Sequence, residues 1–230
     1  MQENPTYDPA LASPTAAPAD DTTARSVAND WIRYGGWSGL LFSVLFMSVA
    51  LIPMPDRLQT VLALVFPLFL LVGHVGLYHF LTRHRPAFTT QLAVILGIGA
   101  PVLVSAMLTV QMSLVSYMER YYHPLDEAMK ASQINIWRAV DSVQLGLDVA
   151  WDMFILPTIL LFSLGLMKHP AFGRVFGFIG VILGAGGLAL NIWTFPTPPI
   201  NVGLPDVGPF AVTWYGILFV LMIRASRKMA

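Results

Sequence analysis

The sequence predicts an all-α fold, a six-helix transmembrane bundle with a disordered polar N-terminal tail, and three observations carry that prediction. Of its 230 residues, 56% are hydrophobic and only 11% are charged, whereas soluble domains carry about 25% charged residues. Six apolar stretches come close to the roughly 20 residues that a spanning helix needs. Short segments rich in charge, proline or aromatic residues separate them. Most of this chain therefore meets lipid or other helices, not water.

Composition also removes whole classes of function. Formal net charge is zero, so no basic excess points to nucleic acid. No cysteine is present, which excludes disulfides, thiolate metal sites and cysteine nucleophiles. No phosphate-binding glycine loop, HExxH, GxSxG or haem-attachment motif occurs, so no cofactor is expected.

The first segment, residues 1–33, has no apolar core of a signal peptide, and Pro5, Pro9, Pro14 and Pro18 interrupt it. It reads as a disordered cytoplasmic tail, too polar to offset its ordering entropy by burial. The membrane domain then occupies residues 34–230, and the first span serves as its own insertion signal. The expected spans are 36–51, 58–81, 92–117, 143–167, 175–195 and 207–223. Pro67, Pro101 and Pro157 fall inside spans two, three and four. Each frees a backbone carbonyl that neighbouring helices must satisfy.

Lysine and arginine set the orientation. With the N-terminus inside, nine lie on the cytoplasmic side: Arg25, Arg33, Arg83, Arg85, Lys168, Arg174, Arg224, Arg227 and Lys228. Only Arg57, Arg120, Lys130 and Arg138 lie outside. This predicts a multi-pass cell-membrane protein with both termini cytoplasmic. In the outer segment 119–142, Pro124, Asp126 and Glu127 form a helix start. Beyond them, Met129, Ile134, Ile136, Trp137 and Val140 recur at helical spacing. A short interfacial helix on the outer leaflet is preferred here over an outward extension of span four.

The fifth span carries Gly173, Gly177, Gly180, Gly184 and Gly187 along one face. Small faces let helix backbones approach closely, and tight packing within the chain is preferred over a dimer interface. Asn191 continues that face and should point into the bundle.

Span four is where function is most legible. At 100° per residue, Trp137, Asp141, Gln144, Asp148, Asp152, Ile155 and Ile159 fall within an arc of about 80°. An aspartate at mid-membrane costs about 2.5–3.5 kcal/mol, so Asp148 and Asp152 must face the bundle interior or a water-filled vestibule. Asp141 lies nearer the outer interface. Thr109, Gln111, Ser113, Ser116 and Asn191 share that outward half, and no intramembrane cation faces the pair. The candidate ligand-binding set is Asp141, Gln144, Asp148, Asp152 and Asn191. Trp151 flanks the stripe, where an aromatic wall for a cation is conceivable but helix packing is preferred.

The histidines offer less. His74 and His79 diverge by about 140° on their helix, no second histidine matches His74 in depth, and His74 reads as a hydrogen-bonded core residue. Trp31, Trp37, Trp137 and Trp193, with Tyr121 and Tyr122, gather near span ends as an aromatic belt.

The stretch WDMFILPTILLFSLGLMKHPAFGRVFGFIGVILGAGGLAL, residues 151–190, resembles a family of uncharacterised bacterial multi-span membrane proteins (the DUF4386 type). The layout is shared: an aromatic-rich helix reaching Leu156-Pro157, a basic turn Lys168-His169-Pro170, then a glycine-rich helix from Gly177. The resemblance implies a multi-span α-helical fold and no activity. Three readings stay open: a non-enzymatic protein that binds a small ligand or cation at the carboxylates, an intramembrane enzyme that uses them as an acid–base pair, and a structural subunit of a membrane complex whose glycine face packs on a partner. Beyond the lipid bilayer, no partner is specified.

Overall fold

A computed structural model describes residues 21–121 and 127–228 of the chain. The described residues form six long helices: α1 (Asp21–Leu51), α2 (Asp56–His84), α3 (Phe88–Tyr121), α4 (Glu127–Leu166), α5 (Gly173–Thr194) and α6 (Gly208–Ser226). All six are long and apolar enough to cross a membrane. Every predicted span lies on one of them to within one residue. The architecture is that of a multi-pass membrane protein.

Two boundaries differ from expectation. Helix α1 begins at Asp21, so residues 21–33, expected as tail, are helical; the rest of the expected tail lies outside the described residues. No proline falls between Asp21 and Leu51, and polar residues alone do not stop a helix. At the other membrane face, α4 is one helix of 40 residues, about 60 Å long and roughly twice the hydrocarbon thickness. The outer segment from Glu127 is thus continuous with span four, not separated from it as a surface helix. No glycine or proline interrupts residues 127–145, so nothing there turns the axis onto the membrane plane. The helix start expected at Pro124 lies outside the described residues.

Helix α1 packs on α2 and α6, α2 on α3, α3 on α4, and α4 on α5, while α5 touches α6 only lightly. Glycines set the closest approaches. A β-carbon on Gly35 would fall 2.5 Å from Gly76 Cα, and one on Gly73 would fall 3.0 Å from Gly39 Cα, so α1 and α2 meet backbone to backbone. The α5 face behaves likewise: Gly177, Gly180, Gly184 and Gly187 are buried, and a β-carbon on Gly184 would fall 2.6 Å from Leu160 N. That face is filled by α4 of the same chain, and Gly173, whose φ of 79° is left-handed, stands outside it with open space around it.

The core gathers Phe42, Phe66, Leu70, Phe162, Tyr215, Leu218 and Phe219. His74, fully buried, donates from Nδ1 to Gly97 O at 2.6 Å and accepts the Tyr215 hydroxyl on Nε2 at 2.9 Å. Gly97 O is the carbonyl that Pro101, four residues on, leaves without its helical donor. One imidazole therefore repairs the α3 proline break and ties α2 to α6. Trp214 is also buried, stacked on Phe176. By contrast Leu51, Phe88, Val175 and Trp193 lie mostly exposed, as lipid-facing positions should.

Candidate functional site

The α4 stripe opens on a cavity of about 430 Å³ at the end of the bundle opposite the start of α1 and the end of α6. Each wall comes from a different element. Helix α4 supplies Gln144, Asp148, Trp151 and Asp152, α3 supplies Gln111, α5 supplies Asn191, and the α5–α6 connection supplies Asp206. Phe46, Phe66 and Met107 add apolar surface. Among the described residues, no lysine, arginine or histidine lines the cavity.

Helical spacing places Asp148 and Asp152 one turn apart on the same face. Both are half-buried, and their carboxylates lie close enough to Asp206 to repel it and each other. Asn191 holds the deep end. It sits on the glycine face of α5, is buried, donates from Nδ2 to Gly187 O at 3.1 Å, and brings its side-chain amide to the Asp152 carboxyl. Its Oδ1 and the Trp151 Nε1–H are buried with no hydrogen-bond partner among the described residues. Below Asp152, Phe42, Leu70 and Ile155 surround a void of only about 20 Å³, so the acidic chamber ends against the apolar core. Its rim is open, since Asp206 and Ile200 are exposed.

Of the five residues expected to form the site, the fold brings Gln144, Asp148, Asp152 and Asn191 to one cavity. Asp141 is half-buried one turn above Gln144 and does not line it. Gln111 joins the lining, whereas Ser113 and Ser116 are exposed and Thr109 turns its hydroxyl onto Ser105 O of its own helix. Trp151, for which packing was preferred, forms part of the wall.

Asp206 escaped the sequence reading. It lies in a proline-rich loop, where a carboxylate is ordinarily solvated. The available signal was its place two residues before α6: its Oδ1 accepts Gly208 N–H at 2.8 Å, which anchors the carboxylate at the helix start.

Among the described residues, no three His, Asp or Glu side chains converge closely enough to hold a metal ion. The three carboxylates around the chamber give it a negative lining. Comparison with known proteins adds nothing further: no family model, no curated protein and no solved structure matches the chain.

Proposed function

We propose that this multi-pass protein resides in the cell membrane with both termini cytoplasmic, and that it binds a small organic cation, an amine in chemical class, in the acidic chamber. Binding is its role, as carrier, sensor or accessory subunit, without catalysis. One observation carries this: a chamber of about 430 Å³ is lined by three carboxylates and three side-chain amides, with no basic residue among the described residues. Ligand pockets typically enclose about 300–1,000 Å³. Uncompensated carboxylates in such a place favour a positive guest, and Trp151 offers it an aromatic face.

Asp148 and Asp152 would carry the charge recognition, and Gln144 and Asn191 would accept hydrogen bonds from the ammonium group. Asp206 would close the rim. Orientation rests on the nine lysines and arginines that the fold gathers at the terminus end, against four at the chamber end. The proposal takes nothing from the family resemblance, which brings no activity with it.

The test is calorimetric titration of the purified full chain with a panel of small amines and their neutral alcohol isosteres. Saturable binding of amines alone is expected. Asp148→Asn/Asp152→Asn should weaken it at least about 30-fold while accumulating in membranes like the wild type. Undiminished binding in that variant would remove the chamber as the site. Failure of the variant to accumulate would instead favour a structural carboxylate network.

A further inference from the structure

A second cavity, of about 540 Å³, lies at the opposite end of the bundle, between the α2–α3 and α4–α5 turns. Its lining has the reverse chemistry. His84, Arg85, Lys168, His169 and Arg174 all face it, and among the described residues no acidic one does. Helices α3 and α5 begin there, and Ala87, Thr89 and Thr90 bring the first turn of α3 to its wall. Free backbone N–H groups at a helix start favour anions. Its apolar lining comes from Leu81, Leu164 and Met167, and Leu164, near the end of a spanning helix, is partly exposed.

His169 is built into this pocket. It is buried, packs against the His84 ring at 4.7 Å between centroids, and accepts Ala171 N–H on Nδ1 at 3.2 Å. A nitrogen that accepts carries no proton, so the ring proton sits on Nε2, available to donate. Burial, with the neighbouring His84, pushes the His169 pKa down to about 4. The ring is therefore neutral near pH 7 and serves as a donor without adding charge.

We infer that this pocket binds a phosphate group, held by Arg85, Lys168 and Arg174, with His169 Nε2–H and the α3 start as further donors. Free phosphate and an anionic lipid headgroup share that chemistry. The apolar lining and the exposed Leu164 suit a headgroup with its acyl chains attached, since basic pockets between spanning helices commonly take anionic lipids.

The full chain in detergent would be titrated separately with short-chain phosphatidylglycerol, with phosphatidylcholine of the same chain length, and with inorganic phosphate. Phosphatidylglycerol should bind saturably and phosphatidylcholine far more weakly. Arg85→Gln/Lys168→Gln/Arg174→Gln should weaken phosphatidylglycerol about 100-fold, and each single replacement about fivefold. The single replacements serve as the test if the triple variant does not fold. Arg57→Gln/Arg120→Gln/Arg138→Gln, with the same loss of charge at the other end, should stay within about twofold of the wild type. Inorganic phosphate that binds with the same dependence and displaces the lipid would identify free phosphate as the source, with the site intact. Equal weakening by both triple variants, or weakening by neither set of replacements, would overturn the inference.

Discussion

At the scale of single residues, His74 shows how a membrane bundle disposes of a polar side chain. A proline in α3 strands a carbonyl, a glycine at that carbonyl clears the approach, and an imidazole on α2 completes the bond. A β-carbon on Gly97 would sit 2.8 Å from His74 Nδ1, so the glycine and the histidine are matched. His74→Leu would leave Gly97 O without a donor and the Tyr215 hydroxyl without an acceptor, each buried. An unsatisfied buried group costs about 1–3 kcal/mol, so the variant should lose roughly 2–5 kcal/mol in a denaturing-detergent titration followed by circular dichroism. Tyr215→Phe, which keeps the Gly97 bond but leaves His74 Nε2 without a donor, should lose about 1–3 kcal/mol, at the low end of the His74→Leu range. Equal losses in the two variants would mean that the proline repair contributes little. The sequence identified His74 as a satisfied core residue, but not its partners. Gly97 and Tyr215 lie 23 and 141 positions away, and helical periodicity says nothing of which helices adjoin.

At the scale of elements, α4 and α5 make the site together. Glycine at four positions lets α5 lie against α4 closely enough to bring Asn191 to Asp152. Gly184→Ala would drive a methyl group into Leu160 N and Leu156 O, which cannot move aside. It should cost about 1–3 kcal/mol as overpacking and pull Asn191 from the chamber, weakening amine binding too. Gly186→Ala, on the open side of the same helix with nothing within 4 Å, should be neutral or gain up to about 1 kcal/mol from helix propensity. Denaturing titration of the two variants checks the contrast. The acidic stripe was legible because spacing within one helix is fixed by 3.6 residues per turn. The α5 face was legible for the same reason. Asp206 was not, because its position depends on how a proline-rich connection folds back over the bundle. The missed extension of α4 has another cause: polar content beyond the membrane lowers hydropathy without breaking a helix.

At the scale of the whole molecule, charge is divided between two ends. One end holds an acidic chamber, the other most of the lysines and arginines and a basic pocket. The membrane potential and the anionic inner leaflet both favour placing the basic end inside. The chain contains no cysteine, so a single introduced thiol reports its own location. In intact cells, Asn201→Cys in the α5–α6 connection should react with an impermeant maleimide, and Lys228→Cys should react only after lysis. The reverse pattern would invert the orientation and put the chamber in the cytoplasm.

The same cysteine-free background gives the most direct test of the central claim, that the chamber is open to water and selects positive charge. Gln144→Cys stands on the chamber wall and removes no carboxylate. Its modification rate would be measured with two thiosulfonate reagents of similar size, one carrying trimethylammonium and one carrying sulfonate. Reaction with both is expected, at least about tenfold faster with the cationic reagent, because a cleft lined by one sign of charge concentrates counter-ions by a factor of about 10 or more. Asp148→Asn/Asp152→Asn in the same chain should bring the two rates together. Failure of Gln144→Cys to react with either reagent, or equal rates with the carboxylates intact, would contradict an open cation-selective chamber and leave Asp148 and Asp152 as parts of a sealed structural network.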